Sequence, residues 1–211
     1  MPILHQWTVF EKCKVMIWQI AETIHELQKG LIASTDEWAE YAAISHPQKQ
    51  LEWLAGRRAM QSLVQAQGLN YEGMTKDLFG KPHLTHRVGE ISLTHTVRFV
   101  GVVWHESKPV GMDLERVSEK LARVAPKFLS DTEKHHAQES LTRLTTYWCA
   151  KEALYKLYGA KELSFKKEIV VSPFADDVDI LEGEIHPTNA PSTFHRLYRL
   201  MIEDFCGVVA L

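Results

Sequence analysis

Three boxes of the form Ser/Thr-x-x-Glu, at Thr23/Glu26, Ser34/Glu37 and Ser130/Glu133, constrain the fold of this chain more than any other feature. In each, the hydroxyl satisfies an amide that a helix leaves orphaned at its start, and the glutamate three residues on reciprocates. The boxes therefore fix where three helices begin. Apolar, β-rich runs stand around them. Residues 13–20, CKVMIWQI, precede the first box. After the second, His46-Pro47 opens another helix carrying Leu51, Leu54, Met60, Leu63 and Val64 until Gly68 stops it. Tyr71 to Thr85 reads as irregular.

Ile91 to His95 and Val97 to Trp104 read as strands, and Val110 to Leu114 as a third. The last two are close enough across Glu106-Ser107-Lys108-Pro109 to pair as an antiparallel hairpin. A helix is expected near residues 118–128, and a long one from about Thr142 to Tyr158, ended by Gly159. Runs at 169–171, 178–181, 196–201 and 206–211 are apolar enough for strands. Helices followed by strands, twice over, predict an α+β fold of two similar lobes. Each lobe has helices packed on a small, mostly antiparallel sheet, with the N-terminal lobe over 1–104 and the C-terminal lobe over 105–211 of one compact unit.

The function classes narrow by composition. The 211 residues are 45% hydrophobic and 24% charged, as in an ordinary globular protein. No apolar run reaches the ~18–20 residues of a membrane span, and MPILHQWTVFEKCKV lacks the pattern of a secretory signal. A cytoplasmic, monomeric protein without membrane contact is expected. A net charge of −3 argues against a nucleic-acid partner. Cys13, Cys149 and Cys206 are too few and too widely spaced for a disulfide framework or a zinc site, and read as buried thiols.

Three places suit chemistry. In Gly111-Met112-Asp113-Leu114-Glu115 a strand puts Asp113 and Glu115 on one face. Paired carboxylates either bind a hard divalent cation or are two solvated acids at a strand end. In the helix from Tyr147 to Lys156, Glu152 and Lys156 are one turn apart, as a surface ion pair would be. Lys151 falls inside the apolar stripe of Leu144, Trp148, Tyr155 and Tyr158, where it must snorkel or meet an anion. Upstream, Gly56-Arg57-Arg58, Gly80-Lys81-Pro82 and Thr94-His95-Thr96 offer cations and small residues suited to phosphate, or are plain loops. Eleven histidines, with His135-His136 adjacent, raise a metal hydrolase as an alternative. Adjacent helical residues point about 100° apart and serve one metal poorly.

Taken in order, Gly80-Lys81-Pro82, Ile91 to Thr96, Gly111 to Glu115 and Trp148-Cys149-Ala150-Lys151-Glu152-Ala153-Leu154-Tyr155-Lys156 resemble the motifs of the 4′-phosphopantetheinyl transferases. The likeness is to the longer, single-chain, surfactin-synthetase-activating type, and covers about residues 50–160. It implies a pseudo-two-fold fold with coenzyme A in a cleft between the lobes. The implied reaction passes the phosphopantetheine arm of coenzyme A to a serine of an apo acyl or peptidyl carrier protein, releasing adenosine 3′,5′-bisphosphate.

The resemblance also implies site residues. Asp113, Glu115 and Glu152 look like magnesium ligands, with Glu152 also matching the base for the carrier serine. Lys156 resembles the lysine that meets the departing phosphate, and Lys151 belongs to the same catalytic motif. Thr94 and His95 look like phosphate and 3′-phosphate contacts, and Lys81 and Arg57 like further coenzyme A contacts. Lys76 and Glu133 match family positions less closely. Glu52 departs from the pattern, standing where some relatives carry an arginine. A catalytically silent coenzyme A-binding partner would keep the lobes and lose these acids and lysines, which are all present here.

Overall fold

A computed structural model describes residues 3–160 and 163–211. The chain divides into two units, Met1–Val110 and Gly111–Leu211. Both are α+β with antiparallel sheets.

In the first unit, β1 (Ile3–Val9) turns through Phe10 and Glu11, both at positive φ, into β2 (Cys13–Gln19). Three helices follow: α1 (Ile24–Gln28), α2 (Thr35–Ala42) and α3 (Pro47–Gln65). Thr23 and Ser34 cap α1 and α2 with complete capping boxes, and Pro47 occupies the first turn of α3, where its missing N–H costs nothing. The stretch read as irregular holds a short ribbon, β3 (Met74–Lys76) on β4 (Pro82–Leu84). A hairpin of β5 (Glu90–His95) and β6 (Phe99–His105) completes the sheet, in the order β1-β2-β6-β5. Met16, Trp18, Leu54, Met60, Leu63 and Val102 are among the residues that join α3 to this sheet in one core.

In the second unit, β7 (Gly111–Arg116) leads through a 3-10 turn (Glu119–Arg123), α4 (Ala125–Phe128) and α5 (Asp131–Ala137) to the long α6 (Leu141–Tyr158). The strands β8 (Ile169–Val171), β9 (Ile180–Ile185), β10 (Thr193–Ile202) and β11 (Phe205–Ala210) then form a sheet ordered β7-β11-β10-β9-β8. Ser140 caps α6 at its start, and Gly159, at φ 72°, ends it. Leu144, Tyr147, Ala150, Leu154 and Leu157 seat α6 on the sheet.

The expected hairpin between Val97–Trp104 and Val110–Leu114 does not form. β6 is taken on both edges, by β2 and β5, so β7 pairs with β11 instead. The short loop made the hairpin plausible, but a strand has only two edges. One order recurs inside both units: a strand, a long helix, then a hairpin whose second strand lies beside the first strand. It runs β2, α3, β5, β6 and again β7, α6, β10, β11.

A second device recurs with it. Glu37 closes the capping box of α2 with its own backbone N–H taken by Ser34 Oγ at 3.2 Å. Its Oε2 also accepts from the β3 amide of Met74 at 3.1 Å, and Oε1 lies 3.5 Å from Arg57 Nε of α3. Glu133 does the same for α5, accepting from Val171 of β8 at 2.9 Å and pairing with Lys151 of α6 at 2.8 Å. In both units one buried glutamate ties a helix start, a strand and a cation on the long helix.

Gly111 sets the spacing of β7 from α6. A Cβ there would lie 1.8 Å from the Ala153 carbonyl oxygen and 2.7 Å from Leu157 N. Both obstacles are backbone, so the helix itself would have to move. Gly111→Ala is expected to destabilise the chain by the upper end of the about 1–3 kcal/mol typical of overpacking. Urea denaturation checks this, and an unchanged midpoint would contradict the close approach.

Candidate active site

β7 displays its side chains as the alternation predicts. Met112 and Leu114 are buried on one face, while Asp113 and Glu115 lie on the other. The partner strand places Val208 opposite Asp113 and Cys206 opposite Glu115. α6 packs against both strands, bringing Glu152 and Lys156 to the same acids. Lys156 Nζ donates to Asp113 Oδ1 at 2.7 Å and to the Met112 carbonyl at 2.9 Å. It thus reaches across to β7, which a plain surface pair with Glu152 would not require.

The electrostatics follow from three carboxylates and one ammonium in a partly desolvated place. Burial raises the Glu115 carboxyl and Asp113 adds to the rise, opposed by Lys156 and a hydrogen bond from the Trp148 side chain. Glu152 goes further, to about 7, through burial and then the negative charge of Asp113, with Lys156 pulling the other way and Glu115 adding a smaller push. A carboxyl poised there is half ionised near neutrality and takes or gives a proton at little cost.

Beneath the acids, Cys149 Sγ donates to the Cys206 carbonyl at 3.3 Å, and Thr146 Oγ1 lies 3.4 Å from Cys206 Sγ. Both thiols are buried, and burial pushes the Cys149 thiol well up. They form a floor of buried thiols that the sequence shows only as buried cysteines. The spacing Cys149-x-x-Glu152 was the available signal, since residues three apart share a helix face.

Lys151 does not join this group. Its side chain is fully buried, and its ammonium donates to Glu133 Oε2 at 2.8 Å, to the Phe165 carbonyl at 2.8 Å and to the Ile169 carbonyl at 2.6 Å. An ammonium has three protons, so none remains for a substrate phosphate. The anion that the apolar stripe demanded is Glu133. In the fold Lys151 is thus tied to Glu133 and two carbonyls, apart from the group of Asp113, Glu115, Glu152 and Lys156.

Arg57 also meets acids of its own unit. Its guanidinium stacks 3.7 Å over the Trp53 ring, lies 3.1 Å from Glu40 Oε2, and faces Glu37. Its position on α3 and its buried glutamate match those of Lys151 on α6. Lys76 also pairs with Glu40. Lys81 follows a turn closed by Asp77, whose Oδ1 accepts from the Phe79 and Lys81 amides at 2.9 Å. Burial lowers the Lys81 ammonium, against the pull of Glu90 and Asp77. Glu90 opens β5, whereas Thr94 and His95 end it, roughly 13 Å of strand away. Thr94 is buried there, and His95 Nε2 lies 3.4 Å from Glu52 Oε2.

Residues 109–206 match the family model described as the 4′-phosphopantetheinyl transferase superfamily. This segment is a 4′-phosphopantetheinyl transferase superfamily domain. The matched segment contains the whole acidic cluster, from Asp113 and Glu115 to Glu152 and Lys156, while Arg57, Lys81, Thr94 and His95 precede it. No curated protein matches the chain. Among the described residues no helix is long and apolar enough to cross a membrane.

The donors of this transferase domain suit a hard cation. Among the described residues no three His, Cys, Asp or Glu side chains stand as a ready metal cage. Magnesium does not require one, because it takes one or two carboxylates, keeps several waters and completes its shell with substrate phosphates. Carboxylates that raise one another's affinity for protons also gain from a divalent charge.

Proposed function

We propose that this transferase moves the 4′-phosphopantetheine arm of coenzyme A onto a serine of an apo acyl or peptidyl carrier protein and releases adenosine 3′,5′-bisphosphate. The observation that carries the reading is a carboxyl poised at about 7, Glu152, beside two further acids and the ammonium of Lys156.

Asp113 and Glu115, with Glu152, would hold magnesium, which when bound draws charge from the pyrophosphate oxygens. Glu152 takes the proton of the carrier serine. The serine oxygen then bonds to the phosphorus that carries the pantetheine arm. The bond from that phosphorus to the bridging oxygen breaks, its electron pair leaves with the bisphosphate, and Lys156 meets the new charge. His95 and Thr94 would hold phosphate of coenzyme A, with Lys81 a further contact. The free cysteines Cys13, Cys149 and Cys206 accord with a reducing, cytoplasmic setting.

The test is a mass shift on an apo carrier protein incubated with coenzyme A and magnesium. The wild-type chain should add one phosphopantetheine per carrier. Asp113→Ala should lose about 10²-fold or more in rate with its circular dichroism unchanged. Near-normal turnover of that variant at saturating magnesium would sink the assignment.

A further inference from the structure

The start of α3 grips the end of β5. Gln48 Nε2 donates to the Val97 carbonyl at 3.2 Å, and four residues on, Glu52 Oε2 lies 3.4 Å from His95 Nε2. Glu52 is 1% exposed, and its Oε2 also accepts from Lys49 Nζ at 2.7 Å. The other oxygen, Oε1, is buried with no hydrogen-bond partner among the described residues. A buried carboxylate with one oxygen unsatisfied is costly to keep. A side chain maintained only for stability would be replaced by an apolar residue at no loss, so the cost points to what Oε2 does. That oxygen has the Lys49 ammonium and the His95 imidazole beside it, at the end of a strand whose neighbouring side chain, Thr94, is a buried hydroxyl.

We propose that Glu52 is a positioning residue that fixes the imidazole of His95, through Nε2, for the 3′-phosphate of coenzyme A. The proposal rests on the reading of His95 given above. Oε2 accepts the Nε2 proton and so fixes the tilt of the ring, and on the protonated ring Nδ1–H is left to donate to the phosphate. An imidazole held in one orientation loses less freedom when it meets a phosphate than a rotating one does. The residue that departed from the family pattern thus has a use of its own here. An arginine at position 52 would turn a cation toward His95, where Glu52 supplies the acceptor.

The experiment compares the affinity of the full chain for coenzyme A and for 3′-dephospho-coenzyme A, with Glu52→Met, Glu52→Gln, His95→Ala and the double variant Glu52→Met/His95→Ala. Methionine keeps the length of the side chain and removes both oxygens, so the melting temperature should stay or rise. The wild-type preference for coenzyme A over the dephospho form should fall about tenfold in Glu52→Met. Binding of the dephospho form should not change. Glutamine keeps an acceptor and should restore most of the preference. The double variant should lose no more than His95→Ala alone, because Glu52 acts through that ring. Full preference in Glu52→Met, or additive losses in the double variant, would overturn the role of Glu52. A wild-type chain with no preference would instead overturn the His95 reading, and this inference with it.

Discussion

Replacing Glu152 by glutamine is expected to lower the rate of transfer by about 10²–10⁴-fold and, above pH 7, to make the folded chain more stable. The two effects share one cause. In the unfolded chain the carboxyl ionises near its ordinary value of 4.5, whereas in the folded chain burial and then Asp113 and Glu115, against the opposing Lys156, hold it up to about 7. Between those values the unfolded chain has released a proton that the folded chain still holds. Stability therefore falls as pH rises through that window, and the loss is complete above about 7. Glutamine has no proton to lose, so the variant should gain on the wild type at pH 8 and match it near pH 4. Melting curves at the two pH values check this. A variant less stable than the wild type at pH 8 would show that Glu152 is held by bonds and not strained by charge. Magnesium should narrow the difference at pH 8, because the wild type offers it one carboxylate more than the variant does.

The acids were legible in the sequence because their geometry is local. A strand with Asp113 and Glu115 two residues apart can only put them on one face, and a helix with Glu152 and Lys156 four apart can only align them. The capping boxes were legible for the same reason, and all three form. What the sequence hid was pairing at a distance. β7 could be recognised as a strand, but its partner β11 begins 94 residues after it, and nothing local says that β6 is already occupied on both edges. Lys156 could be placed on the right face of α6, yet its preference for Asp113 over Glu152 depends on how close Gly111 lets β7 approach. Arg57 and Lys151 show the limit most clearly. Each stands in a motif beside phosphate-suited residues, and a cation near such a motif invites a substrate. Glu37 and Glu133, the buried glutamates that face them, lie 20 and 18 residues upstream as the last members of capping boxes, and Arg57 also bonds Glu40. As sequence, those boxes signal helix starts alone. A second oxygen remains once a glutamate has capped a helix, and in both units that carboxylate also reaches the long helix.

The shared device makes Lys151 the second large test, because its loss should be felt in folding and not in chemistry. Lys151→Ala leaves Glu133 buried and without its cation, and it deprives the Phe165 and Ile169 carbonyls of a donor. Removing one partner of a buried pair costs about 3–5 kcal/mol, a large share of the about 5–15 kcal/mol that holds a domain together. The variant should unfold at much lower urea concentration than the wild type. Pairing Lys151→Met with Glu133→Gln removes both charges while glutamine keeps an acceptor for the Ser130 or Val171 amide. That double variant should recover much of the stability, since an apolar replacement of a buried ion pair is often neutral. It should also transfer phosphopantetheine at close to the wild-type rate, because Asp113, Glu115, Glu152 and Lys156 are untouched. A double variant that folds well and does not transfer would return Lys151 to the catalytic group. One that transfers would leave Lys156 as the lysine of α6 that serves the reaction, with Lys151 one of the bonds that keep the helix where the reaction needs it.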